Sequence, residues 1–472
     1  MSEKPYDLIV IGGGAAGLTA AGFMGKAGGR VALIERRLLG GDCTWFGCVP
    51  SKALLKVSKI AHNMRTASKY GIASTEPQID MHVVRQYVKS AIDEIYQHET
   101  PDVFGSKYNV EVILGEARFV NPTTINVGDR TLEASKYIIA TGGRPTIPSV
   151  DGLDSVPYLT NETLFDNDRL PGHLLIMGAG PIGVEMGQAY ARLGAKVTIM
   201  DVSLLPRDEP EVRDLVRRLF VDEGIEFVPS LVKSVVQREQ SIIAHLENGD
   251  TVQGDMLLVA VGRTPNTDLG LENAGVAYSQ AGIPVDDYLR TNVKHIYAIG
   301  DCTQGPKFTH YAGFQGSIAG RNAALPVVNS KGKVKYVPWV TYTDPEIAHA
   351  GMTEAQAREK YGKRVKVSVF SLREGDRTVV ENDQDGFIKL IYTGGGNLIG
   401  ATVVSERAGE MIFELQLAIN NKLSLREITS MIHPYPSYMD VVKKAVSSVV
   451  IDELFKGVSG RAIKLLGRVL YS

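Results

Sequence analysis

A glycine pattern occurs twice in this chain, and it dictates a backbone path more narrowly than any other feature of the sequence. In "YDLIVIGGGAAGLTAAGFMGKAGGRVALIER", Gly12, Gly14 and Gly17 fill G-x-G-x-x-G. An apolar run, Leu8 to Ile11, precedes them, and a second, Val31 to Ile34, ends on Glu35. In "HLLIMGAGPIGVEMGQAYARLGAKVTIMD", Gly178, Gly180 and Gly183 repeat the pattern, and Asp201 stands at the same offset as Glu35. The spacing predicts strand, tight turn, helix and strand in each copy. The first glycine permits the turn, the second lets the backbone approach a pyrophosphate, and the third lets helix and strand pack closely. Free N–H groups at each helix start favour phosphate, and each acid can accept hydrogen bonds from a ribose diol. One such motif is weak, whereas two with acids in register point to two dinucleotide sites.

Asp201 bears on which nicotinamide cofactor binds. A carboxylate suits the free 2′-hydroxyl of NAD and repels a 2′-phosphate, so NADH is expected, with NADP possible because Arg207 follows in "SLLPRDEP".

Composition excludes several classes. The 472 residues are 44% hydrophobic and 22% charged, as in ordinary globular proteins. A net charge of −2 gives no reason to expect nucleic acid or an anionic membrane as partner. Three cysteines cannot build a disulfide framework or a four-thiolate zinc site, and no metal site is expected. No long uninterrupted apolar run stands out as a transmembrane helix, and a cytoplasmic, reducing location is expected.

Two of those cysteines, Cys43 and Cys48, lie in "GGDCTWFGCVPSKALLK". Buried packing thiols or a single structural disulfide are the plain readings, but neither explains the flanking glycines. Pro50 suits the first turn of a helix through Ala53 and Leu55, which puts Cys48 at its amino end. There the helix dipole lowers a thiol pKa. Beside two dinucleotide sites, a thiol pair that cycles between disulfide and dithiol suggests a flavin and a nicotinamide passing electrons through it.

Together with "IIATGGRPTIP", "AVGRTPNT", "HIYAIGDCT" and "VPWVTYTDPEIAHAGMTE", these segments make the chain resemble the FAD-dependent pyridine nucleotide–disulfide oxidoreductases. That family includes dihydrolipoamide dehydrogenase, glutathione reductase and mercuric reductase. The resemblance implies an α/β fold with two Rossmann-like domains, one for FAD and one for NAD, and an α+β dimerisation domain. It places the FAD domain at 1–148 and 272–336, the NAD domain at 149–271 and the dimerisation domain at 337–472. Helical periodicity in "AGEMIFELQLAINNKLSLREIT" suits the last.

By resemblance, Cys43 is the interchange thiol and Cys48 the charge-transfer thiol. Lys52 would lie near flavin N5, paired with Glu185. FAD contacts are implied at Gly12, Gly14, Ala15, Ala16, Gly17, Glu35 and Arg36, then at Gly41, Asp42, Cys43, Cys48 and Lys52. Further contacts fall at Ala117, Ala140, Thr141, Gly142, Asp301 and Thr309. NAD contacts are implied at Gly178, Gly180, Ile182, Gly183, Glu185, Asp201 and Gly262. Cys302 is expected to be an inert packed thiol.

The pattern breaks near the carboxyl end. Disulfide-reducing members carry H-x-H-P-T-x-x-E, whose second histidine is the acid–base partner of the interchange thiol. Here the stretch reads "HPYPSYMD". Tyr435 takes the catalytic histidine position, Asp440 the orienting acid's, and His433 the earlier histidine's. Reference pKa values of ~6.5 for histidine and ~10 for tyrosine make tyrosine a poor base near pH 7. Mercuric reductases also carry tyrosine in this region, but this chain lacks their C-terminal cysteine pair. The expected partner is a second copy of the chain, and the expected acceptor a small disulfide, oxidant or thiol-bound metal. The alternatives are a dihydrolipoamide dehydrogenase acting on a lipoylated protein, and a redox-sensing flavoprotein within a larger assembly.

Overall fold

A computed structural model describes residues 4–325, 327 and 329–471. They form two compact units, one running through Leu204 and from Phe220 to Lys335, the other comprising Leu205–Leu219 and everything from Tyr336.

The first unit contains the same design twice. Leu8–Ile11 leads through the glycine turn into the Ala15–Lys26 helix and then Val31–Glu35. These strands join a five-stranded parallel sheet in the order Ile296–Ala298, Tyr137–Ile139, Leu8–Ile11, Val31–Glu35, Val110–Leu114. The strands are almost continuously apolar because helices cover both faces of a parallel sheet. Leu8, Ile9 and Val10 are fully buried. In the second copy, His173–Met177 leads into the Pro181–Leu193 helix and Lys196–Met200, within a four-stranded parallel sheet. Each copy carries a three-stranded antiparallel meander, 117–133 in the first and 232–254 in the second. A short ribbon, Gly143–Pro145 against Arg263–Pro265, ties the copies together.

In the second unit, a five-stranded antiparallel sheet takes the order Trp339–Thr341, Glu346–Gly351, Leu398–Ser405, Phe387–Thr393, Val365–Ser371. The Ala408–Asn420 and Tyr438–Phe455 helices share its core. The periodic stretch from Ala408 to Thr429 is two helices rather than one. Lys422 takes a positive φ of 57°, and Ser424 with Glu427 forms a capping box that starts Leu425–Thr429.

Leu205–Leu219 lies inside the span expected for the NAD domain yet groups with the second unit. Its anchor is Lys389, which is fully buried and ion-paired with Glu209 at 3.1 Å, Glu211 at 2.8 Å and Glu354 at 2.7 Å. Asp208 adds a hydrogen bond from the Trp339 indole at 2.9 Å. A buried ammonium requires such partners, which ties the segment to this sheet.

Candidate active site

The first glycine turn builds a cradle. Gly12 sits at φ 108°, where a Cβ would meet the Ala140 carbonyl oxygen at 2.3 Å. A Cβ on Gly17 would meet the Gly12 carbonyl oxygen at 1.8 Å. Glu35 caps the turn from the neighbouring strand, taking the Gly13 N–H at 2.7 Å and the Arg37 N–H at 2.8 Å. The turn opens on a cleft of about 650 Å³. Of the residues expected to contact FAD, Gly17, Cys48 and Lys52 do not border this cleft, and the others do. Gly17 instead packs beneath the turn.

The cleft fits a long, polar, phosphate-bearing ligand such as FAD. Glycine leaves room that a side chain would fill, and the Ala15–Lys26 helix starts at Gly14 without a side-chain cap. Deeper in, Arg263 lies 3.1 Å from Asp42 and donates to the Gly143 carbonyl at 2.9 Å. Its buried Nε has no hydrogen bond, although Asp301 stands 3.5 Å away. Burial raises the Asp301 pKa, against the pull of Arg263.

The thiols meet this cleft at one end. Gly41 approaches Gly14 so closely that a Cβ on it would meet the Gly14 Cα at 2.7 Å. This contact brings Cys43 to the cleft wall. Gly47 then ends the loop, and the Cys48–Thr66 helix begins on the second cysteine with Pro50 in its first turn. Both cysteines are free thiols. Cys43 hydrogen-bonds to Cys48, and that bond is the largest influence lowering the Cys48 pKa, to about 6. The Thr309 hydroxyl, 3.3 Å from Cys48 Sγ, and the charge of Lys52 push the same way. Cys43 moves far upward, chiefly through the same bond and then through burial. These influences favour the thiolate on Cys48 over Cys43. Cys302 is buried, its thiol donates to the Ile299 carbonyl at 3.1 Å, and burial pushes it up to about 11.

The second glycine turn repeats the first. Gly178 sits at φ 107°, where a Cβ would meet the Ala260 carbonyl oxygen at 2.5 Å, and Gly183 packs against the Gly178 carbonyl. Gly180 caps the Pro181–Leu193 helix, whose first turn holds Ile182. Asp201 takes the Ala179 N–H at 2.8 Å and the Val202 N–H at 2.7 Å. Gly262 adopts φ 136° just before the linking ribbon. Glu185 is buried, and its carboxylate meets Lys52 Nζ at 2.9 Å. Further along the same two helices, the Arg65 guanidinium donates to the Arg192 carbonyl.

In the second unit, Tyr435 is 70% exposed, and its hydroxyl bonds to Asp376, which also pairs with Lys444 at 2.6 Å. The backbone N–H of Asp440 is capped by Ser437 at 3.1 Å. His433 turns inward. Its Nε2 is 3.1 Å from both oxygens of Glu414, and its Nδ1 is buried without a partner.

Sequence reasoning passed over three residues that organise the cleft. Arg263 joins Asp42 and Asp301, Asn161 donates to Asp42 at 3.0 Å, and Asn266 donates to the Thr141 carbonyl at 3.0 Å. Arg263 and Asn266 lie in "GRTPN", whose motif character was the available signal.

Two dinucleotide-binding domains, with Cys43 of a thiol pair at the wall of the first, define a pyridine nucleotide-linked flavoprotein of thiol and disulfide chemistry. The chain belongs to the pyridine nucleotide-disulphide oxidoreductase family. Residues 6–316 match the family's main model and residues 337–446 its dimerisation domain. It is 35% identical over 454 residues to a mercuric reductase of Lysinibacillus sphaericus, covering 94% of this chain and 83% of that one. It is 34% identical over 455 residues to a dihydrolipoyl dehydrogenase of Geobacillus stearothermophilus, covering 93% and 95%. Among solved structures, the HOCl-induced flavoprotein disulfide reductase RclA from Escherichia coli, as a Cu(II) complex, superimposes with a TM-score of 0.84 at 29% identity. That match covers 93% of this chain and 99% of the other. LpdA from Mycobacterium tuberculosis gives 0.86 at 27% identity over 94% and 99%. The protein is accordingly an oxidoreductase that uses FAD and NAD(P)H, with a dimerisation domain that supports a homodimer.

Proposed function

We propose that electrons pass from NADH through FAD to the Cys43–Cys48 pair, and from Cys43 to a small disulfide, oxidant or thiol-bound metal ion. When bound, FAD accepts two electrons from the nicotinamide and releases them to a disulfide. Cys48 holds the thiolate beside that centre, and Cys43, at the cleft wall, attacks the acceptor. Lys52, held by buried Glu185, sets positive charge near the point where negative charge builds. Asp201 selects NADH by opposing a 2′-phosphate. The domain limits at 148, 271 and 336, and a cytoplasmic location that keeps the pair cycling, belong to the same reading.

The observation that carries the choice of acceptor is the state of "HPYPSYMD". Its tyrosine is exposed on the chain with its hydroxyl against Asp376, and its histidine is sunk against Glu414. Oxidising a dithiol needs a base, and a phenol is poorly suited to that task near neutral pH. Reducing an acceptor whose departure needs no proton, such as a thiol-bound metal ion, makes no such demand, whereas a disulfide acceptor shares it because its leaving thiolate must be protonated. Dihydrolipoamide oxidation is therefore the weaker reading, although a relative carries that name.

Steady-state assays with NADH and a panel of disulfides, quinones, hypochlorite-oxidised thiols and thiol-bound Hg(II) or Cu(II) test the reading. Turnover should exceed dihydrolipoamide:NAD activity at pH 7. Tyr435→His should raise the dithiol activity by about 10–100-fold, since a positioned base contributes about 10²–10⁴. Fast neutral-pH dithiol oxidation that is indifferent to Tyr435→Phe would overturn the reading and direct attention to His433.

A further inference from the structure

The Gly457–Tyr471 helix lies beyond residue 446, where the match to the family's dimerisation domain stops. It has two sharply different sides. Leu465, Leu466, Val469 and Leu470 gather on one side at helical spacing and are 64%, 59%, 69% and 73% exposed. Arg461, Lys464 and Arg468 gather on the other, also exposed. The segment 457–472 contains no aspartate or glutamate. In the preceding helix Ile451, Leu454 and Phe455 are also exposed. The acids there are already answered, Glu453 by Lys366 at 2.7 Å and Asp452 by Lys456 at 3.6 Å.

We propose that this helix lies in the plane of an anionic lipid surface and docks the enzyme peripherally on a membrane. An apolar side with cations along the opposite side, and no acids, has the character of an interfacial helix. Its leucines and valine would enter the boundary of the acyl chains while Arg461, Lys464 and Arg468 meet lipid phosphates. The helix lies on the surface rather than spanning the bilayer. Among the described residues, no helix is long and apolar enough to cross one. A second copy of the chain is the poorer occupant. Two such helices packed face to face would align cations on both rims with no acid in either to answer them. The proposal is independent of the acceptor and departs from the expectation, drawn from net charge, of no membrane partner.

The test is co-sedimentation of the full-length, FAD-loaded protein with vesicles. One set is phosphatidylcholine alone, and the other carries about one third phosphatidylglycerol to give a negative surface. Binding to the anionic set should be at least about tenfold stronger and should weaken as salt rises from about 0.05 to 0.5 M. Leu466→Glu with Leu470→Glu should abolish it, and Lys464→Glu with Arg468→Glu should cut it about tenfold or more. FAD absorbance and NADH oxidation, unchanged in both variants, would show that the fold is intact. No binding at low salt, equal binding to both vesicle sets, or equal binding by the variants would each overturn the proposal. So would a chain truncated after Lys456 that becomes monomeric when the full-length dimer binds no vesicles, because the helix would then belong to a subunit interface.

Discussion

At the first glycine turn, Glu35 takes the N–H of Gly13 at 2.7 Å; at the second, Asp201 takes that of Ala179 at 2.8 Å. The leading glycines share a φ within a degree, 108° and 107°, and each would collide with a carbonyl of the neighbouring strand if it gained a Cβ. The surroundings differ. The first turn opens on a cleft whose depths hold Asp42, Arg263 and Asp301, with the Cys43 loop at its wall. The second contributes Glu185, a single buried carboxylate reaching toward the thiol helix. On the proposed reading, the first copy is the seat of a resident cofactor with reactive groups built around it. On the same reading, the other is a phosphate turn, with Asp201 beside it, for a cofactor that comes and goes. Duplication supplies equal backbones, and side chains from distant segments make them unequal.

The sharpest way to break this comparison is at the thiols. Cys43→Ser should lower disulfide reduction by about 10³-fold or more while NADH still reduces the flavin, because an essential nucleophile is lost and the cradle is not. Retained disulfide turnover would separate the cleft from the chemistry assigned to it.

The glycines come next. Gly12→Ala and Gly178→Ala introduce the same clash and the same backbone strain of about 1–3 kcal/mol. Their readouts should differ. Gly12→Ala should lose FAD and lower Tm, whereas Gly178→Ala should keep FAD and raise the KM for NADH. Equal loss of FAD in both proteins would dissolve the distinction between resident and visiting cofactor.

A smaller effect is expected from the discriminating acid. Asp201→Ala should narrow the preference for NADH over NADPH by about tenfold, the worth of one charge-assisted hydrogen bond of about 1.5 kcal/mol. Equal kcat/KM for the two cofactors in the unmodified protein would shift the choice to Arg207.

The mildest probe is pH. The Cys48 thiol is lowered to about 6, so its thiolate prevails above that pH and is lost as pH falls through it. A long-wavelength absorbance band in the two-electron-reduced enzyme should therefore fade on acidification with a midpoint near 6. Cys48→Ser should remove it. A midpoint near the ordinary thiol value would mean that Cys43, Thr309 and Lys52 do not act on Cys48 as the geometry indicates.

The parts of the site readable in the sequence were those in which local backbone geometry demands a residue type. Gly12 and Gly178 must be glycine because of φ and a carbonyl, and Cys48 starts a helix because Gly47 and Pro50 frame it. Arg263 was not readable, since its role depends on Asp42 and Asp301, which lie far away in the chain. The attachment of Leu205–Leu219 to the C-terminal sheet depends likewise on one buried lysine, Lys389, 178 residues from Glu211. The terminal helix was hidden by averaging. A net charge of −2 for the whole chain masks three cations and no acids in its last sixteen residues.

The thiol helix and the second glycine helix are fastened at two levels, Lys52 to Glu185 and Arg65 to the carbonyl of Arg192. These bonds join the two halves that the repeated motif invites one to regard as interchangeable cassettes. A chimera that imported the NAD half of a relative would inherit a competent cofactor turn and still misplace the redox pair, unless it kept an acid at 185 to meet Lys52 and a helix end whose backbone carbonyl meets Arg65. Exchange of the halves is thus limited by the seam between them as well as by either motif.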